Sequence, residues 1–201
     1  MRSVIGVLTV ALVVGCGGGG GGGNKAEHPS NNTKKQTTEA KAAPPLPPEK
    51  KKNPIPEDWE PFENKPKQFG FWLPTGSTTN DSTENGIEMF HADLPDPYPI
   101  EVWVVTYRDK TLSKEDLWVD VDAVISNNLK GTKLDLGPVV DLNNVFAVRD
   151  ATWTEVSPIK GTVLVGTDIN DNYIMIVSCR EGDYESNHDT VDALWESFYL
   201  F

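Results

Sequence analysis

Seven consecutive glycines, Gly17 to Gly23, follow Cys16 and open a stretch that has nothing to fold with. Asn24 to Lys41 is polar apart from two alanines, and Ala42 to Pro56 reads AAPPLPPEKKKNPIP. So little apolar area cannot offset the chain entropy that ordering would remove. Residues 16–60 are therefore expected to be a disordered Gly/Pro/Lys-rich tether, flexible in its glycines and stiffer, closer to polyproline II, in its prolines. Treated as a coil, the 44 residues from Gly17 to Glu60 span roughly 35–40 Å, at about 5–6 Å times the square root of length. The proline run beside Lys50, Lys51 and Lys52 reads as a soluble spacer, although such runs also serve as ligands for aromatic grooves or anionic surfaces.

The residues ahead of the glycines have a secretory plan. Arg2 gives a positive start, and Val4 to Val14 (VIGVLTVALVV) is apolar apart from Gly6 and Thr9. Its length matches a signal-peptide core and falls short of the ~20 residues that span a bilayer as a helix. The end, Val13-Val14-Gly15-Cys16, resembles the bacterial lipoprotein signal, with cleavage between Gly15 and Cys16 and diacylation on the sulfur of Cys16. Residues 1–15 are then a lipoprotein signal peptide, and an ordinary signal peptide with a chance cysteine is the plainer alternative. Gly17 after the cysteine, where an aspartate would retain the protein, resembles outer-membrane sorting.

Charge separates the two parts of the mature chain. Gly17 to Glu60 has seven lysines against six acidic residues, whereas Pro61 to Phe201 has ten basic residues against 24 acidic ones. The 141 residues of that second part suffice for one core and not for two. Its acidity argues against nucleic acid as a partner, because phosphate backbones are bound chiefly through Lys and Arg. Two cysteines, Cys16 and Cys179, imply no structural disulfide.

From residue 61 the hydrophobic pattern alternates between strand and helix periods. FGFWLP (Phe69 to Pro74), IEMFHA (Ile87 to Ala92) and IEVWVVTY (Ile100 to Tyr107) read as strands, with STTNDSTENG between the first two as a polar loop. IEVWVVTY is apolar on both faces at its centre, which places it inside the sheet. SKEDLWVDVDAVISNN then reads as a helix, capped by Ser113 and Asp116, with Leu117, Val121, Val124 and Ile125 in one stripe and Gly131 as the stop. TKLDL, VFAVRDATWTEV and the hairpin GTVLVGTDI/NYIMIVSC follow as strands. SNHDTVDALWESFYLF closes the chain as a helix opened by His188, with Val191, Leu194, Trp195 and Phe198 inward and Asp189, Asp192 and Glu196 outward. Strands around two helices without regular βαβ alternation predict an α+β fold with a mainly antiparallel sheet.

This order of elements, and above all a closing helix that runs into the pair Ser197-Phe198, resembles the PsbP/Mog1-like superfamily over about Phe69 to Phe201. The resemblance implies an α/β/α sandwich and a non-enzymatic role. Members include extrinsic photosystem subunits, a partner of the Ran GTPase, envelope lipoproteins of the DcrB type and chaperones for secreted effectors, joined by the binding of partner proteins. No residue-level binding signature carries over.

Few residues offer chemistry. There is no Gly-x-Ser-x-Gly, His-Glu-x-x-His or phosphate loop. His91 near Asp93 and Asp96, and His188 beside Asp189, are the candidates for a hydrolytic pair. Cys179 shares a strand face with Tyr173, Met175 and Val177, which predicts a buried and unreactive thiol. DINDNY (Asp168 to Tyr173) begins like a calcium loop but lacks its central glycine and final glutamate, so a hairpin turn is expected. Of six tryptophans, Trp59 and Trp118 are expected to be exposed and to contact a partner. The expectation is a lipid-anchored cell-envelope lipoprotein, facing the periplasm or exterior, with a partner-binding or assembly role. No catalytic residue, metal or cofactor is expected; the alternatives are a carbohydrate- or calcium-binding module and an envelope hydrolase.

Overall fold

The computed structural model describes residues 53–84 and 86–201. The expected signal peptide, Gly15, Cys16 and most of the expected tether lie outside them. Eleven strands and two α-helices follow one another as β1 (Trp59–Asn64), β2 (Phe69–Pro74), β3 (Thr78–Glu84), β4 (Ile87–Asp93), β5 (Ile100–Arg108), α1 (Lys114–Asn127), β6 (Thr132–Leu136), β7 (Val140–Asp141), β8 (Phe146–Thr154), β9 (Pro158–Thr167), β10 (Asp171–Arg180), α2 (Glu181–Glu196) and β11 (Tyr199–Leu200). The large sheet has the order β3-β4-β5-β10-β9-β8-β6, with β7 also on β8, and every pairing in it is antiparallel. A small sheet, β1-β2-β11, is antiparallel as well.

Both faces of the large sheet are covered. Phe90, Val102, Val104, Met175 and Val177 pack in one cluster with the small sheet and α2. Met89, Val105, Val163, Ile174 and Ile176 point the other way, against α1. β10 lies in the middle and is buried from Asp171 to Cys179, which is why YIMIV can be apolar without alternation. The expected α+β fold, a mainly antiparallel sheet flanked by helices, is what the chain adopts.

Several elements match their sequence signals closely. The Ser113 hydroxyl accepts the Asp116 N–H at 3.1 Å, and the Asp116 carboxylate accepts the Ser113 N–H at 2.9 Å, the reciprocal cap read from the sequence. Leu117, Val121, Val124 and Ile125 are the buried stripe of α1. β9 and β10 form the expected hairpin, and the β5 segment is interior. Gly131 follows α1, but the left-handed conformation belongs to Lys130 (φ 59°). Gly131 has a different reason to be glycine: a Cβ there would lie 2.5 Å from both Ile125 Cγ2 and Trp153 Cδ1.

Several expectations need correction. The fold begins before residue 61, because β1 starts at Trp59 and pairs with β2 along its whole length. Trp59 is only 4% exposed, a core residue and not the free aromatic expected there. STTNDSTENG is not all loop, since Thr78 to Glu84 pairs with β4 as an edge strand. Edge strands need no apolar alternation, and polar residues there discourage further pairing. The closing helix starts at Glu181, so His188 is in its middle, and Tyr184, 2% exposed, joins the buried stripe. Asp192 is turned partly inward, where it accepts the Trp195 indole N–H at 3.0 Å.

Candidate functional site

Three connections meet at one end of the large sheet. They are the β4–β5 loop around Leu94 to Pro99, the β8–β9 turn Glu155 to Ser157, and the junction Ser178 to Asp183 where β10 passes directly into α2. The strand register brings them together: Asp93 stands opposite Glu101, Glu101 opposite Ser178, and Arg180 opposite Ile159. Between them lies an open cleft of about 530 Å³. Its charged lining is Asp93, Glu101, Glu155 and Asp183 against the single cation Arg180. Leu94, Tyr98, Val156 and Ile159 supply apolar surface.

The carboxylates are held in different ways. Glu155 accepts the Trp153 indole N–H at 2.8 Å, which fixes its side chain at the turn. Glu101 accepts the Trp103 indole N–H at 3.2 Å. The imidazole of His91 lies flat on the Trp103 ring, with centroids 3.8 Å apart. Its Nε2 is 3.5 Å from Asp93 and 3.7 Å from Glu101, shielded from solvent and without a formed hydrogen bond. Interaction with His91 is the largest influence on the Glu101 carboxyl and holds it below the usual range, with Trp103 adding to the effect and burial opposing it.

Cys179 borders the cleft and is 5% exposed. Burial, with the nearby Asp183 charge adding to it, pushes its thiol up to about 11. As the sequence predicts, it is a buried hydrophobe and not a poised nucleophile. His91 is on the α1 side of the sheet, whereas His188 is 48% exposed on α2, within 3.8 Å of Asp189 and 3.7 Å of Asp192. The two histidines do not converge.

The remaining candidates have structural positions. Trp118 is half-buried against the α1 core, and the Arg149 guanidinium covers its ring at 5.3 Å. Arg149 is itself bonded to the carbonyls of Gly137 and Leu136 at 2.6 and 3.1 Å. The indole thus pins the β6–β7 bend and is less free than expected. DINDNY is the β9–β10 turn, closed by the Asp168 N–H on the Asp171 carbonyl at 2.8 Å. Among the described residues no group of three or more His, Cys, Asp or Glu side chains is arranged to hold a metal ion, and no helix is long and apolar enough to cross a membrane.

Glu101, Glu155 and Val156 carry no mark in the sequence. They come from separate segments, and only the strand register makes them neighbours.

No family model matches the chain, and no curated protein matches it. Among solved structures it is similar to the cyanobacterial PsbP (CyanoP) from Synechocystis, with a TM-score of 0.57 at 11% identity over 72% of this chain and 93% of that one. It is also similar to the Ran-binding protein Mog1p of Saccharomyces cerevisiae, with a TM-score of 0.50 at 11% identity over 71% of this chain and 95% of that one. At such identities the likeness concerns architecture alone, and the architecture is that of the PsbP/Mog1-like fold.

Proposed function

We propose that the chain is a lipid-anchored cell-envelope lipoprotein whose PsbP/Mog1-like domain binds a partner protein and catalyses no reaction of its own. The observation that carries the partner-binding reading is the placing of the cleft relative to the start of the domain. Asp183, in the first turn of α2, lines the cleft, while Glu196, at the other end of the same helix, accepts the Asn53 N–H at 2.8 Å. At 1.5 Å per residue the two are separated by roughly 20 Å. The described chain thus enters the domain at the end of α2 opposite the cleft, which leaves the cleft uncovered by the entering segment. Mog1p, which shares the fold, is a Ran-binding protein, and a protein-binding role on this scaffold agrees with that.

The anchor rests on Arg2, the apolar core Val4 to Val14 and the pair Gly15-Cys16. In this reading Cys16 carries diacylglycerol, Gly15 is the last residue of the discarded signal, and the domain faces the periplasm or exterior. Growth with labelled palmitate tests it. Label is expected in the chain and absent from Cys16→Ala, and equal labelling of the two would remove the anchor. For the role, crosslinking in intact cells is expected to recover one specific envelope protein, and repeated recovery of none would count against it.

A further inference from the structure

We infer that the acidic cleft between the β4–β5 loop, the β8–β9 turn and the start of α2 docks a lysine- or arginine-bearing segment of the partner protein. The inference rests on the partner-binding reading above and names the chemistry of the partner.

Four carboxylates against one guanidinium give the cleft a strong negative field, and the domain around it adds to that field, with 24 acidic residues against ten basic ones from Pro61 onward. Such a surface attracts cationic groups and repels phosphates and anionic lipid headgroups. His91 and, to a smaller extent, Trp103 hold the Glu101 carboxyl below its usual range against the effect of burial, and so favour its charged form.

Two features besides charge shape the site for a side chain. Ser178 lies on the cleft wall between Glu101 and Gly161, only 6% exposed, and its hydroxyl makes no side-chain hydrogen bond among the described residues. Its hydroxyl lines the anionic cleft and can accept a bond from an ammonium or guanidinium. At the mouth, Val156 is fully exposed, while Leu94 and Tyr98 are half-buried. An apolar rim around carboxylates suits the alkyl stem of lysine or arginine, which lies on apolar surface while its head meets the charge. A free inorganic cation would have no use for that rim.

The test uses the full chain in nonionic detergent and a fluorescein-labelled ten-residue peptide alternating lysine and alanine, followed by fluorescence anisotropy. A peptide with glutamate in place of lysine serves as the charge control. The lysine peptide is expected to bind at least about tenfold more tightly than the glutamate one, and Glu155→Gln with Asp183→Asn to weaken it by about tenfold. Glu155→Gln keeps an amide oxygen that can still accept the Trp153 N–H, and a thermal melt checks that the variant is folded. Val156→Ser is expected to weaken binding about threefold through the lost apolar contact. The exposed pair Asp122→Asn and Asp135→Asn, on α1 and β6, removes the same charge elsewhere and is expected to change binding less than about twofold. Equal weakening by both double variants, or equal binding of both peptides, overturns the inference. So does self-association of the full chain that the lysine peptide abolishes, because the occupant is then a second copy. If crosslinking recovers a partner that the lysine peptide does not displace, the cleft assignment fails while the partner-binding reading stands. Failure to recover any partner strikes that reading itself.

Discussion

The Ser197 hydroxyl accepts the backbone N–H of Trp72 at 3.1 Å and donates to the Leu194 carbonyl at 2.8 Å. β11 pairs with β2 through Tyr199 with Gly70 and Leu200 with Phe69, so Ser197 stands where the next ladder partner of Trp72 would be. A side chain continues the sheet past the point where the end of α2 interrupts it. This gives a physical reason for a serine ahead of Phe198.

Removing that hydroxyl strands a backbone donor. Ser197→Ala is expected to lower stability by about 1–2 kcal/mol, the usual cost of an unpaired, partly buried N–H. Urea unfolding followed by tryptophan fluorescence measures it, and a midpoint equal to that of the parent chain would refute the ladder role.

Phe198 is the hub of the adjoining aromatic cluster. Its ring is 5.7 Å from Phe69 and 6.0 Å from both Phe146 and Tyr173, and thus joins the small sheet, the large sheet and α2. Phe198→Ala is expected to cost about 3–5 kcal/mol, the range for emptying an aromatic site in a core. Phe201, 53% exposed, is expected to change stability by less than about 0.5 kcal/mol on the same substitution. Denaturant midpoints for the two variants should therefore differ widely, and similar values would contradict the packing described.

How much of this is legible in the sequence depends on where each signal resides. The α1 cap needs only Ser113 and Asp116, three residues apart, and the β9–β10 hairpin needs two apolar runs around Asn170-Asp171, so both can be read directly. β1 and β3 cannot. WEPFEN contains Pro61 and TTNDSTE has no apolar residue, yet each needs only one neighbour to pair with, and edge strands tolerate such composition. The burial of Trp59 is hidden for the same reason: with β1 unseen, its indole has no core to enter. The cleft is the least legible part, because its carboxylates are scattered from Asp93 to Asp183 and become one site only through the pairing of β4, β5, β10 and β9.

Lys67 fastens the small sheet to the large one. Its side chain is only 8% exposed, and its ammonium bonds the Asp81 carboxylate of β3 and, at 3.1 Å, the Met89 carbonyl of β4. Asp81→Ala leaves that ammonium largely buried without its anion, whereas Lys67→Met removes the charge and keeps the stem's volume. The first is expected to cost about 1–2 kcal/mol, discounted because the Asp81 side chain is 59% exposed, and the second less than about 1 kcal/mol. A larger loss for Lys67→Met in urea unfolding would reverse the account.

Cys179 titrates in the opposite sense to a reactive thiol. With its folded value raised to about 11 by burial and Asp183, the protonated form is favoured in the fold. Its contribution to stability is full below the ordinary thiol range and is lost as pH rises toward 11. At pH 8 the native chain is expected to alkylate with iodoacetamide at Cys179 at least about tenfold more slowly than in urea. Peptide mass spectrometry separates Cys179 from Cys16, and equal rates in the two states would place the thiol in solvent.

Glu101 shows the reverse linkage. Its carboxyl is held below the usual range chiefly by His91, with Trp103 adding to the effect, so the ionised form is favoured in the fold. The stability it contributes is therefore complete above the unfolded-state titration and lost as pH falls through the lower folded value. His91→Ala removes the largest cause. Carbon-detected NMR of the Glu101 carboxyl is expected to give a midpoint below that of the urea-unfolded chain, moving upward in His91→Ala. The stability gap between the parent and His91→Ala should narrow on acidification through this range. An identical Glu101 titration in both proteins would mean that the histidine stacked on Trp103 does not act on the carboxylate at the edge of the cleft.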